Sequence, residues 1–223
     1  MGAVILTIPG PWSKLPAWPS DLPLTHEDPD PHLAGDIKAM ARQADLVDAL
    51  DMGALKRHQG VIRALLDFED PGSVAHAAAG ARLMIQALKD GAHTVLVETA
   101  SRIIDPRSGD EIDPDDPVSL VHLYVSVFGD GECFYTEGMQ AFDLPDVIIA
   151  HRNPAEGVLA QGAAFAYAAL SVCEGLRLTP GGVFTASESA PRYTAQLEEI
   201  TAADLEEDPM SNPRGRWRLI RAS

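Results

Sequence analysis

The chain has 223 residues, with 33 acidic side chains against 17 basic ones and a formal net charge of −16. A field of this sign repels phosphate backbones and anionic lipid surfaces, so binding to nucleic acid or to a membrane is not expected. The same field attracts a basic protein partner, although a surplus of carboxylates also serves solubility alone.

The first part of the chain predicts two strands and a helix around a long loop. Residues 3–8 are a short apolar run that predicts a buried strand, and residues 11–33 are a proline-rich loop. Residues 35–50 carry apolar side chains at helical spacing. Residues 60–68 favour a strand, although their paired leucines leave a helix open.

The loop contains two histidines and three carboxylates between His26 and His32. These side-chain types bind divalent metals. Prolines fix an extended path here, however, and ligands spaced along such a path do not converge easily on one ion. We therefore expect a solvated acidic loop and no metal site.

The next segment predicts a β-α-β unit. Residues 74–90 predict a helix with one apolar face. Lys89 is favourable in the last turn of such a helix, and Gly91 is favourable just after its end. Residues 93–98 follow as a strand. Tight connections between these elements are typical of a helix packed on a sheet in two layers.

The middle of the chain predicts an antiparallel meander. Residues 101–117 are an acidic loop, and residues 118–128 alternate in a way that predicts the strongest strand of the chain. A glycine turn then leads to strands over 132–137 and 146–151.

The last third predicts a second long helix, over 154–174. Asn153, Pro154 and Glu156 form its start signal, and its wide apolar arc predicts burial or a dimer interface. A strand at 183–185, a short helix near 195–200 and a terminal edge strand at 216–221 follow. The predicted fold class is α+β: a two-layer sandwich with a mixed, mostly antiparallel sheet, two main helices and a topology related to the ferredoxin-like one.

One group of polar side chains is a candidate site. Its residues lie in the segments 118–128 and 132–137, which are predicted as neighbouring strands, and at the end of strand 93–98. Their side chains would therefore gather on one face of the sheet. Such a face could orient a polar ligand or supply a general acid–base pair, while a solvated sheet face is the alternative. The candidate residues are Glu98, His122, Tyr124, Tyr135, Thr136 and Glu137.

Residues 136–149, TEGMQAFDLPDVII, resemble a segment of an uncharacterised bacterial domain family. That family has a Thr-x-Gly-(Met or Leu)-x-x-Phe-Gly-x-Pro-Glu stretch that leads into a strand and a long helix. Asp143 and Asp146 stand where the family has glycine and glutamate. The resemblance, over about residues 60–220, implies an intracellular bacterial protein of the kind found beside secreted-toxin systems, and implies no catalytic residue.

We expect a single domain over 1–223, with residues 1–58 as an N-terminal segment and residues 60–221 as the main sandwich. Cys133 and Cys173 are predicted to be core residues in a reducing compartment. The apolar run near the start is short for a secretion signal, so a cytoplasmic location is expected. Phosphate-loop, dinucleotide and zinc-protease motifs are absent, so no cofactor is expected.

Three functions follow as hypotheses. The first is a non-enzymatic binding or protective module that engages a basic protein partner through its acidic surface. The second is an enzyme in which His122, with Glu98 or Glu137, acts as general acid and base on a small polar substrate. The third is a homodimer formed through helix 154–174.

Overall fold

A computed structural model describes residues 3–18, 22–67, 73–208 and 211–222. Within these residues the fold is mixed α+β, with two sheets and several helices. The sequence predicted one sheet, so the two-layer sandwich with two main helices is not confirmed.

The first sheet has five antiparallel strands in the order β2-β3-β1-β4-β5. The predicted strands at 3–8, 60–68 and 93–98 all belong to it, and each is confirmed within a few residues. In chain order its strands are β1 (Ala3–Gly10), β2 (Leu24–Glu27), β3 (Gly60–Asp67), β4 (Val95–Val97) and β5 (Arg102–Ile104).

The second sheet has six strands in the order β6-β7-β8-β11-β10-β9, and β8 and β11 are its one parallel pair among the described residues. Its first three strands form an antiparallel meander, in which β7 and β8 match the strands predicted over 132–137 and 146–151. In chain order its strands are β6 (Ser126–Gly129), β7 (Cys133–Glu137), β8 (Asp146–Ala150), β9 (Val183–Thr185), β10 (Arg192–Glu198) and β11 (Arg216–Arg221).

The helices predicted at 74–90 and 154–174 are confirmed, whereas the helix predicted over 35–50 ends at Gln43. Asp45 there adopts a positive φ of 56°, and Leu46 N–H bonds to the Ala41 carbonyl, which closes the helix. In chain order the helices are α1 (Leu33–Gln43), α2 (Met52–Lys56), α3 (Ser73–Lys89), α4 (Pro117–Tyr124), α5 (Pro154–Cys173) and α6 (Ala202–Glu207).

The strand predicted over 118–128 is wrong, because most of it is helix α4. The Asp116 carboxylate accepts bonds from the Val118 and Ser119 N–H groups, and Pro117 occupies the first helical turn. The buried side chains lie at helical spacing (i, i+1, i+3 and i+4) and do not alternate as those of a half-buried strand would. They are Leu120, Val121, Leu123 and Tyr124.

Three other expectations also need correction. The loop predicted over 101–117 contains β5, and the helix predicted near 195–200 is the end of β10. The strand at 216–221 is confirmed, but it lies inside the sheet between β8 and β10 and not at an edge. Its arginines do not face an unpaired edge, because Arg216 and Arg218 both pair with Glu198 on β10.

The first sheet is covered on both faces. Val95 and Val97 of β4 belong to the large core that also contains α3, α5 and the second sheet. Leu96, between them, packs with Ile37 of α1 in a smaller core. Alternate side chains of one short strand therefore enter two different cores, which explains why all three positions are apolar.

Helix α5 is long and apolar enough, by length and composition alone, to cross a bilayer. Its contacts with β7 and β8 bury one face, so the structure is compatible with a soluble protein. Cys173 at its last turn is exposed and Cys133 is half-buried, so the expectation that both are core residues is wrong.

The turn after β7 generates a prediction about stability. Gly138 has a φ of +103°, and a Cβ added there would overlap the Tyr124 carbonyl oxygen. Because the clash is with backbone, Gly138→Ala should lower the free energy of unfolding by about 2–4 kcal/mol, measured by urea denaturation.

Gly162 is the matched control. It lies on the exposed side of α5 with no atom within 4 Å of an added Cβ. Gly162→Ala should therefore raise the free energy of unfolding by about 1 kcal/mol, as expected for an exposed helical glycine. An equal effect of the two substitutions would contradict the role given to Gly138.

Candidate functional site

A polar cavity of about 370 Å³ lies where the end of β4 meets the amino ends of β8 and β11. Side chains from both sheets line it, so it exists only once the two sheets have packed together. The lining residues used below are Glu98, Thr99, Ser101, Tyr135, Thr136, Glu137, Asp146, Asp208, Asn212 and Arg216.

Asp146 is a buried carboxylate at the base of this cavity. Its Oδ1 accepts hydrogen bonds from Thr136 Oγ1 (2.8 Å) and from the Met139 N–H (3.2 Å). Its Oδ2 accepts one from Asn212 Nδ2 (2.7 Å), which also donates to the Leu144 carbonyl. One carboxylate therefore joins β7, β8, the turn between them and the segment before β11.

These contacts give a physical reason for the spacing of residues 136–146. The Thr136 hydroxyl both donates to Asp146 and accepts from the Val147 N–H. Gly138 turns the backbone so that the Met139 N–H points at the same carboxylate. The segment is a hydrogen-bonded joint between two strands.

Burial controls the protonation of the two carboxyl groups deepest in the cavity. It raises the pKa of Asp146 to about 7, against the opposing effect of its three hydrogen bonds and with a smaller contribution from the nearby Glu137. Burial also raises the pKa of Glu137, which a hydrogen bond with Ser101 partly offsets. Both groups are therefore more easily protonated than ordinary surface carboxylates.

Glu98 is fixed by groups of the first sheet. Its carboxylate pairs with the Arg63 guanidinium at 2.7 Å and accepts a hydrogen bond from the Thr7 hydroxyl. After it, Thr99 is buried and its hydroxyl has no partner among the described residues. Ser101 adopts a left-handed backbone conformation, which is uncommon for a serine.

Carboxylates outnumber cationic groups in the cavity. Within the part of the chain that the structure describes, Glu98, Glu137, Asp146 and Asp208 line it, and Arg216 is the one cationic residue that does. The Arg216 guanidinium also pairs with Glu198, at 2.6 Å, which neutralises part of its charge. The cavity is thus suited to a cation.

No cluster of three or more His, Cys, Asp or Glu side chains in the described ranges is arranged to hold a metal ion. This includes the histidines of the proline-rich loop. His26 lies on β2, and its Nε2 donates to the Trp12 carbonyl at 3.0 Å.

The structure brings four of the six predicted site residues together. Glu98, Tyr135, Thr136 and Glu137 all line the cavity. His122 and Tyr124 do not, because they lie on a helix and not on the strand that was predicted beside β7. The His122 ring packs against Phe165 of α5 and lines a different surface cavity, and the buried Tyr124 hydroxyl donates to the Ala77 carbonyl.

Sequence reasoning missed Asp146 and Asn212 as members of the site. Asp146 lies in the segment that resembles the uncharacterised family, at the position where that family has glutamate, and this acidic position was the available signal. No sequence signal indicated Asn212, since it lies in an acidic loop-like stretch 66 residues further along the chain.

Comparisons with protein-family models, with curated proteins and with solved structures find no match to this chain. The resemblance of residues 136–149 to an uncharacterised bacterial family therefore stays a prediction. What the site does has to be argued from its geometry.

The Asp146 contacts predict that an isosteric amide will not be tolerated. Asp146→Asn places an NH₂ group against either the Asn212 amide or the Thr136 and Met139 donors, so that a donor faces a donor in either orientation. We expect a loss of about 2 kcal/mol in the free energy of unfolding at neutral pH, measured by urea denaturation.

Asp130→Asn is the control for that substitution. The exposed Asp130 carboxylate accepts both of its hydrogen bonds, from the Glu132 and Cys133 N–H groups, at one oxygen. An amide oxygen can replace it, so stability should not change. A similar loss in both variants would show that the Asp146 contacts are not specific.

The pKa of Asp146 predicts how stability depends on pH. Its value in the folded protein, about 7, lies above its ordinary value of 3.8, so the folded state binds this proton more tightly. The resulting stabilisation is present below about pH 4 and is lost as the pH rises through 7. The stability advantage of the native chain over Asp146→Asn should therefore shrink between pH 5 and pH 8.

Urea denaturation of both proteins at the two pH values measures this difference. Glu137 titrates in both proteins, so most of its contribution cancels, and burial keeps the nearby Tyr167 protonated over this range by raising its pKa. If the advantage of the native chain grew with pH, the three hydrogen bonds would outweigh burial, and the assigned direction would be wrong.

Proposed function

We propose that the protein is a binding module that receives a lysine or arginine side chain of a basic protein partner in the cavity around Glu137. The observation that carries this proposal is the composition of the cavity wall among the described residues. Four carboxylates, of which Glu98 is paired with Arg63, line it against one arginine, which is paired with Glu198. The proposal makes the chain a non-enzymatic binding or protective protein.

The energetics of the cavity favour a cationic occupant. Burial disfavours the charged forms of Glu137 and Asp146, as their raised pKa values indicate. A cation between them would favour the same charged forms and would offset part of that cost. Charge-assisted hydrogen bonds of this kind are about twice as strong as neutral ones.

The wider charge distribution supports capture of a basic surface. The net charge of −16 steers a positively charged protein towards the chain. Asp208 at the cavity wall continues the acidic helix α6, whose Glu206 and Glu207 are exposed. A partner side chain in the cavity would therefore have further carboxylates around the entrance for the rest of its basic surface.

An enzyme is the second candidate. Two carboxyl groups with raised pKa values in one cavity are a typical acid–base pair, and Glu98 lies in the same wall. His122 lines a different cavity, so the pairing of His122 with Glu98 or Glu137 lacks geometric support. The three hydrogen bonds to Asp146 also tie that carboxylate to the fold, which is why binding is preferred.

A homodimer through α5 remains a proposal about assembly. Val158 and Phe165 of α5 are 71% and 39% exposed. Sedimentation at dilute concentration tests it, and a clean monomer would remove it.

Loss of the Glu137 charge should weaken binding of a cationic probe. We expect Glu137→Gln to weaken the affinity for an acetylated tetralysine amide by about tenfold, because one charge-assisted contact is removed. Isothermal titration calorimetry at low ionic strength measures the affinity.

Glu188→Gln is the matched control, since it changes the net charge equally. Glu188 is exposed, in the loop between β9 and β10, away from the cavity. It should change the affinity by less than about twofold, as expected for a distant surface charge. Equal losses in both variants would mean that the overall field binds the peptide and that the cavity does not.

A further inference from the structure

A second cavity, of about 560 Å³, lies at the opposite end of the parallel pair, outside the carboxyl ends of β8 and β11. The amino end of the 20-residue helix α5 forms one of its walls. In contrast to the first cavity, it gathers cationic side chains. Its polar lining residues are His151, Arg152, Glu156, Tyr193, Arg218 and Arg221.

The cationic groups of this cavity are only partly neutralised. Arg152 makes no ion pair with any residue that the structure describes, while Arg218 pairs with Glu198. Arg221 pairs with Glu156 at 3.1 Å. Glu156 is the one carboxylate among the described residues that line the cavity, so a local positive charge remains within a strongly acidic chain.

Two polar side chains in the wall lack hydrogen-bond partners. Tyr193 as a whole is only 3% exposed, but its hydroxyl oxygen stays accessible and makes no hydrogen bond within the described residues. Both ring nitrogens of His151 are buried without a partner, with the ring against Phe134. Buried polar groups are almost always paired, so this wall has donors to offer to a ligand.

The backbone adds to the positive electrostatic potential of this cavity. The carboxyl ends of adjacent parallel strands and the amino end of the helix that follows one of them form a common place for ligands in sheets of this kind. The amino end of α5 carries a partial positive charge. Glu156 already uses part of it, because its carboxylate accepts a hydrogen bond from the Arg152 N–H at 3.0 Å.

We propose that this cavity binds a phosphate group, through the guanidinium groups of Arg152 and Arg221 and the hydroxyl of Tyr193, with Glu156 as a competing internal anion. A phosphate dianion offers more acceptor oxygens than a carboxylate. The two guanidinium groups and the Tyr193 hydroxyl supply several donors for those oxygens. A single small anion experiences the local charge mainly, because distant carboxylates are screened beyond about 10 Å, whereas a nucleic-acid chain meets the whole acidic surface.

The proposal is independent of the cation-binding cavity, since it rests on different residues at the other end of the sheet. Binding measurements distinguish whether the ligand is free phosphate or a phosphate ester. Phe134 beside His151 provides an aromatic surface next to the cavity. An aryl phosphate should therefore bind more tightly than inorganic phosphate if the natural ligand is an ester.

Titration of the full chain with inorganic phosphate and with phenyl phosphate, followed by amide chemical shifts in two-dimensional NMR, tests the proposal. We expect saturable shifts for the amides of Arg152, Gly157 and Arg221. Arg152→Gln should weaken phosphate affinity by about tenfold, because it removes one charge-assisted contact from an exposed residue that the fold does not need. No saturable shift with either ligand overturns the proposal.

Three further variants separate a site from general attraction. Tyr193→Phe should weaken binding a few-fold while its ring stays in place, and Glu156→Gln should strengthen binding because the competing carboxylate is gone. Arg107→Gln is the control, since Arg107 is exposed, pairs with the neighbouring Asp105 and does not line this cavity. If Arg107→Gln and Arg152→Gln weakened binding equally, or if Glu156→Gln weakened it, the assignment would be wrong.

Discussion

The second sheet depends on the buried carboxylate of Asp146. It sits on the first residue of β8 and accepts hydrogen bonds from β7, from the turn after β7 and from the segment before β11. These donors fix the positions of three strands relative to one another. Burying a carboxylate costs free energy unless it is hydrogen-bonded, so the Asp146 carboxylate is stable in this position only because the three donors contact it. The same joint forms the base of the candidate site.

The parallel pair β8–β11 gives the molecule its electrostatic polarity. Among the described residues, most of the charged side chains that line the cavity at its amino end, around Asp146, are carboxylates. Most of those that line the cavity at its carboxyl end, around Arg152, are arginines. Arg216 and Arg218 alternate along β11, and Glu198 of β10 pairs with both of them. A chain with a net negative charge thus has two cavities whose charged side chains are mainly of opposite sign, at the two ends of the parallel pair.

Local patterns predicted the elements well where one signal dominated. The start of α5 was predicted from Asn153 and Pro154, and Asn153 does accept a hydrogen bond from the Glu156 N–H. The prediction failed at 118–128, where the apolar side chains fit both a strand and a helix and the Asp116 cap decided the outcome. Because this segment is a helix, His122 and Tyr124 do not line the site. The four members that remain lie on β7 or directly after β4, where alternation and turns were clear.

The sequence by itself determined the α+β class, the acidic charge and most of the strands and helices, because these follow from residues close together in the chain. Only the tertiary structure decided that there are two sheets, that β11 lies inside the second one and that Asn212 meets Asp146. Those outcomes depend on contacts between residues far apart in sequence, whose pairing no local pattern encodes. The site belongs to this second group, since its walls come from both sheets and form only when the sheets pack.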